Sequence, residues 1–251
     1  MIEIPRQIIN HSVDDYHPFN GRFASLGVKN KPINRLTSNR NKFRSTDEIN
    51  QMCFFISSSR SLHLSRTRIF ISPAMEKIGY LWETKKLGIE QEHLATDTIK
   101  TALARIVVHF PRQKEKNIKV LLACAEGETH DLGLQALAYE LELGGYSIHY
   151  LGASTPFKAL INSVKTVKPD YIFISACVPS ISDEDLISGI KKLAKTSKGI
   201  NAKLVAGGEY FKRFDKNTIR CDMIANSIKE SISFIKKSIK QIHKQKKGSK
   251  S

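Results

Sequence analysis

Residues 118–133 read IKVLLACAEGETHDLG, and this stretch decides the fold. Ile118–Ala125 is an almost unbroken apolar run, as expected of a parallel strand buried on both faces. The polar string Glu126–Asp131 hands over to Leu132–Leu143, which has helical periodicity and stops at Gly144-Gly145. Strand, polar turn and helix follow one another within 28 residues.

The same alternation continues downstream. Ser147–Leu151 reads as a strand, Pro156–Val167 as a helix and Asp170–Ala176 as a third strand. Asp183–Lys195 reads as a helix, Lys203–Ala206 and Met223–Ala225 as strands, and Ser227–His243 as the closing helix. This rhythm predicts an α/β fold, flavodoxin-like (Rossmann-type), with a parallel sheet covered on both faces. Ligands in such folds sit beyond the carboxyl ends of the strands.

Upstream, Ile71, Met75, Ile78 and Trp82 recur at helical spacing up to Gly88. Ala95, Ile99, Ala102, Leu103, Ile106 and Phe110 mark a second amphipathic helix ending at Pro111. Together they predict a partial helical bundle over 73–111, followed by an exposed linker at Arg112–Asn117. Residues 1–72 are rich in Asn, Ser and Arg, carry no visible helix-turn-helix signature, and suggest only short helices near Asp47–Ile56 and Leu62–Ile71. The expected division is therefore a basic segment 1–72, a helical cap 73–111, an α/β domain 118–228, and a closing helix with basic tail 229–251.

Composition narrows the class. The chain has 251 residues, 41% of them hydrophobic and 25% charged, the balance of a globular protein. No apolar run is long enough for a bilayer span, and Met1–Asn10 lacks the apolar core of a signal peptide, so the expected location is the cytoplasm. Cys53, Cys124, Cys177 and Cys221 form no CxxC pair and read as buried thiols in a reducing compartment. The net charge is +16, but residues 118–228 hold 13 basic and 12 acidic side chains. The excess lies at the ends, with 8 basic and 1 acidic residue in 229–251. Such a tail can hold a polyanion or simply solvate a helix end, so no autonomous sequence-specific DNA binding is expected.

The strand ends carry a set of residues in order: Glu128-Thr129-His130-Asp131-Leu132-Gly133 after the first, Ser175-Ala176-Cys177 after the third and Gly207-Gly208 after the fourth. Any one of these is compatible with an ordinary loop histidine or a tight turn. As a set, ExHxxG, then SxC, then GG, the chain resembles the cobalamin-binding domain, whose usual signature is DxHxxG, SxL and GG. The resemblance covers 118–228. It implies that His130 coordinates cobalt from below while the cofactor's benzimidazole tail is displaced into a slot in the fold. It further implies that Glu128 orients the imidazole, Ser175 bonds the buried base, Gly207 and Gly208 let the tail pass, and Gly133 allows close packing at the helix start. Thr129, Asp131 and Cys177 belong to the same strings. The chemistry suits these types: neutral imidazole is a good transition-metal donor, and a carboxylate on its other nitrogen fixes the tautomer.

Trp82 is followed after nine residues by Glu92-His93. This W-x9-EH pattern resembles the cap of light-responsive MerR-type cobalamin-dependent regulators. The resemblance implies that Trp82, Glu92 and His93 cover the upper face of adenosylcobalamin. An indole offers apolar stacking, while a carboxylate and an imidazole can bond polar edges. Glu83 stands where those regulators place the histidine that captures cobalt after photolysis. Two function classes follow. The first is a non-enzymatic adenosylcobalamin sensor, a photoreceptor for transcription regulation if light is the signal, read out through a homo-oligomer or a separate regulatory protein. The second is a corrinoid carrier of a methyltransferase system, with methylcobalamin as the bound form.

Overall fold

Lys119–Cys124 forms β1, and Val120, Leu121, Leu122, Ala123 and Cys124 are all fully buried within it. A computed structural model describes Tyr80 and residues 84–86, 88–107 and 111–248, the side chains of 102, 105–106 and 242–248 excepted. The expectations for residues 1–72, for Cys53, for the helix through Ile71–Trp82, for Glu83 and for Phe110 lie outside the described residues.

The elements are α1 (Ile89–Val107), β1, α2 (Leu132–Leu143), β2 (Ser147–Gly152), α3 (Phe157–Val167), β3 (Tyr171–Ser175), α4 (Asp183–Gly199), β4 (Lys203–Gly207), a 3₁₀ turn (Glu209–Arg213), α5 (Lys216–Ile219), β5 (Met223–Ala225) and α6 (Ile228–Gly248). The sheet order is β2-β1-β3-β4-β5 and every pairing is parallel. This is the flavodoxin-like arrangement, with the strand order reversing between β1 and β3.

Alternation along the strands sorts the core into two layers. Leu121, Ala123, Ile172, Ile174, Leu204 and Ala206 pack with Phe157, Leu160 and Val164 of α3 and Leu186, Ile190 and Leu193 of α4. Val120, Leu122, Cys124, Phe173 and Val205 face the other way, onto Leu134, Leu137, Ala138 and Leu141 of α2 and Ile235 of α6. A fully buried Leu or Ile stabilises by about 1.5–3 kcal/mol relative to exposure, so both layers contribute.

Local chemistry sets the helix starts. The Ser182 hydroxyl caps α4 by accepting the Asp185 N–H at 3.1 Å, and Asp183, Glu184 and Asp185 complement the dipole there. At α3, Glu126 Oε2 accepts the Phe157 N–H at 3.1 Å, doing from a neighbouring loop what Pro156 cannot. On α1, Ala95, Ile99, Leu103 and Val107 form the buried stripe, and the helix packs on α2.

Three expectations shift. Helix α4 runs four residues past Lys195, where buried Ser197 returns its hydroxyl to the Leu193 carbonyl at 2.8 Å. The turn at Glu209–Arg213 and α5 were not anticipated, being too short to show a periodicity. The segment 112–117 is exposed as expected but tied down. Its Gln113 and Lys116 N–H groups donate to Leu143 and Gly145 at 2.9 Å, and Arg112 pairs with Glu142 at 2.6 Å. Among the described residues no helix is long and apolar enough to cross a membrane.

Candidate functional site

The loop between β1 and α2 is held from within by one carboxylate. Glu128 is fully buried. Its Oε1 accepts the backbone N–H of His130 at 2.6 Å and lies 2.7 Å from His130 Nδ1. Its Oε2 accepts the N–H of Val178 at 2.6 Å and that of Cys177. Burial pushes the carboxyl up, but the hydrogen bonds from His130, Cys177 and Val178 outweigh it, leaving the carboxyl below its usual range. An ionised carboxylate accepts only, so Nδ1 of His130 is the donor, and in the neutral imidazole the lone pair is on Nε2. The His130 side chain is 59% exposed, so Nε2 is accessible.

The register places a row of small residues at the carboxyl end of the sheet. Cys124 pairs with Ser175, Ser175 with Gly207 and Gly207 with Ala225. Cys124 and Ala225 belong to the layer facing α2 and α6. Alternation puts Ser175 and Gly207 on that same face, since Phe173 and Val205 lie two residues earlier. Four small residues thus stand abreast at this end of the sheet. The reversal of strand order between β1 and β3 lies at the same end.

Other predicted residues fall as follows. Thr129 is exposed beside His130. Cys177 contributes its N–H to Glu128, and burial pushes its thiol up. Cys124, whose thiol is pushed up to about 12, chiefly by burial, is a packing residue. Gly133 does not pack closely at the helix start: a Cβ there would meet nothing within 4 Å. The two glycines of the GG pair also divide. Gly208 has φ +98° and a Cβ on it would lie 2.2 Å from the Ala176 carbonyl oxygen, so the protein's own backbone requires it. A Cβ on Gly207 would meet only the Ala225 oxygen at 3.7 Å.

Asp131 pairs with Lys100 Nζ of α1 at 2.5 Å, while its Oδ2 accepts the Tyr150 hydroxyl at 3.0 Å. Lys100 and Tyr150 carried no motif signal, because only tertiary packing brings them to Asp131. Glu92 and His93 sit on the outer part of α1, Nε2 of His93 lying 3.6 Å from Glu92 Oε2. Glu92 also accepts the Thr96 hydroxyl at 2.7 Å, and His93 is 75% exposed. Trp82 lies outside the described residues. Among the described residues no three His, Cys, Asp or Glu side chains gather around a common point, so nothing here resembles a cage for a bare ion.

Residues 118–228 match the model of the B12 binding domain, and residues 70–106 match a second B12 binding domain model. Dimethylamine corrinoid protein 3 of Methanosarcina acetivorans is 25% identical over 166 residues, 65% of this chain and 76% of that protein. The HTH-type transcriptional repressor CarH of Myxococcus xanthus is 28% identical over 123 residues, 49% of this chain and 40% of the repressor. Its companion repressor CarA is 32% identical over 106 residues, 42% of this chain and 35% of that protein. The chain thus spans less than half the length of either repressor. Among solved structures, the monomethylamine corrinoid protein of Methanosarcina barkeri superposes with a TM-score of 0.64 at 17% identity, over 76% of this chain and 94% of that one. The fold, the motif residues and both family matches converge: the chain is a cobalamin-binding-domain protein that resembles the sensor part of light-responsive cobalamin-dependent regulators.

Proposed function

We propose that the chain is a non-enzymatic sensor that binds adenosylcobalamin base-off, with His130 as the lower ligand. The observation that carries this is the Glu128–His130 pair, which makes Nδ1 the donor and leaves the ring largely exposed, at the end of the sheet where Cys124, Ser175, Gly207 and Ala225 stand in register. A nitrogen donor of fixed tautomer beside a slot for a flat base fits a cobalt macrocycle that brings its own equatorial ligands. When bound, the cofactor supplies a light-sensitive and chemically labile cobalt–carbon bond; the protein binds, orients and encloses it. Glu128 holds the imidazole, the Ser175 hydroxyl bonds the displaced base, and Gly207 gives it passage.

In this reading residues 73–111 are a cap over a cobalamin-binding domain at 118–228, with 229–251 as closing helix and tail. Trp82, Glu92 and His93 meet the upper ligand. A change there is relayed in the cytoplasm to an oligomer interface or a separate regulatory protein. The test is the absorption spectrum of the purified chain with adenosyl- and methylcobalamin, in darkness and after green light. A base-off bound form that the light alters is the expected result. Free-cofactor spectra throughout count against it.

A corrinoid carrier is the second reading, favoured by the longer match to dimethylamine corrinoid protein 3. A carrier presents its upper face to a methyltransferase and so needs an open cap. Equal affinity for the adenosyl and methyl forms would favour it.

A further inference from the structure

We infer that Asp131 is a two-position carboxylate that couples docking of α1 to the loop holding His130. Asp131 occupies the position preceding α2 where an aspartate ordinarily caps the helix, accepting the N–H of the second or third helical residue. Here it makes no such bond. Its oxygens go instead to Lys100 of α1 at 2.5 Å and to the Tyr150 hydroxyl at 3.0 Å. Only 14% of the Asp131 side chain and 32% of the Lys100 side chain are exposed, so the pair is partly shielded from water.

The backbone tells the same story. A capping residue has extended geometry, whereas Asp131 has φ −105° and ψ −5°. With α1 docked, Lys100 holds the carboxylate and the backbone stays in this form. With α1 away, Asp131 would lose the Lys100 ammonium and keep only the Tyr150 hydroxyl of these two partners. The alternative partners are the amides of Gly133 and Leu134, and Gly133 has no side chain to obstruct them. Taking them requires rotation of ψ at Asp131, which turns the chain leading back to His130. His130 is itself pinned to Glu128. Asp131 is thus a positioning residue: it joins cap position to imidazole orientation without touching the cofactor. Its consequence for cobalamin rests on the reading of His130 given above, but the contact switch does not.

The test is amide hydrogen exchange on the full chain, without cofactor and with adenosylcobalamin in darkness. Lys100→Met should speed exchange across 89–107 by about tenfold, as a loss of ~1.4 kcal/mol in local stability would. It should also slow the Gly133 and Leu134 amides, as the freed carboxylate caps α2. Asp131→Ala should loosen α1 equally without that slowing, and Lys100→Arg should behave as wild type. If Lys100→Met leaves α1 unchanged, or Gly133 and Leu134 respond alike in Lys100→Met and Asp131→Ala, the inference is wrong. Wild-type chain without a cobalamin spectrum would defeat the cofactor reading alone, since exchange in the cofactor-free protein still decides the switch.

Discussion

Glu128 grips His130 twice through a single oxygen, taking its backbone N–H at 2.6 Å and facing its ring Nδ1 at 2.7 Å. One buried side chain therefore sets both where the loop runs and which imidazole nitrogen is free. Its second oxygen ties that loop to the chain just after β3 through Cys177 and Val178. The His130 loop and the chain after β3 are thereby tied together.

Substitution separates these two tasks. His130→Ala should leave the melting temperature near wild type, because the ring is mostly exposed, and abolish the histidine-bound cobalamin spectrum. Glu128→Gln should weaken cobalamin binding by about 10–100-fold, the usual effect of removing the partner of a ligating histidine. Glu128→Ala strands buried amides and should cost about 1–3 kcal/mol for each one left unpaired. Titration calorimetry and thermal melts distinguish the three.

Acid stability follows from the same carboxylate. Its folded value is depressed below the unfolded one of about 4.3, so its contribution is fully present above that pH. The contribution is lost as pH falls through the folded value. Melting temperature of wild type should therefore drop below about pH 4.3 more steeply than that of Glu128→Gln. Parallel acid limbs in the two proteins would contradict the assignment.

The strands were legible because burial on both faces leaves a run such as Ile118–Ala125 no polar alternative. The Glu128–His130 contact was legible because the two residues are neighbours in one loop at a strand end. The contacts of Asp131 were not legible for the opposite reason. Its partners Lys100 and Tyr150 lie 31 and 19 residues away in sequence, and no local pattern announces a contact across that distance. The GG pair looked uniform in sequence, yet a Cβ on one glycine would collide with the Ala176 carbonyl and on the other would only touch the Ala225 oxygen at 3.7 Å.

The cap makes a prediction about selectivity. Glu92 and His93 stand adjacent on α1, and His93 projects into the open. If they and Trp82 meet the upper ligand, adenosylcobalamin should bind more tightly than methylcobalamin by about tenfold or more, the equivalent of one or two good polar contacts. Trp82→Ala and Glu92→Gln should each shrink that ratio while sparing the methyl form. Calorimetry on both cofactors in darkness is the measurement.

Charge makes another. The basic excess near the carboxyl end lies on α6 and beyond, where 229–251 hold 8 basic and 1 acidic residue. Binding to duplex DNA should therefore be weak, indifferent to sequence and steeply reduced by salt. Removing residues 244–251 should flatten the salt dependence further. Nanomolar, sequence-discriminating binding at physiological salt would refute this.

The two adjacent glycines offer the sharpest separation of folding from cofactor binding. Gly208→Ala forces a side chain onto a backbone at φ +98° and against the Ala176 oxygen at 2.2 Å, so it should destabilise the protein by about 1–3 kcal/mol whether or not cofactor is present. Gly207 faces no such constraint, the nearest atom to its Cβ position being the Ala225 oxygen at 3.7 Å. Gly207→Val should therefore fold with a change within about 1 kcal/mol. Its isopropyl group would nonetheless stand in the row shared with Cys124, Ser175 and Ala225, along which the proposed base-off mode passes the displaced base. Cobalamin affinity should fall by about a hundredfold, near 2.7 kcal/mol, with the cofactor-free melting temperature little changed. Gly207→Val protein that binds cobalamin as tightly as wild type would show that this row is not the slot, and the base would have to be sought elsewhere along the carboxyl edge of the sheet.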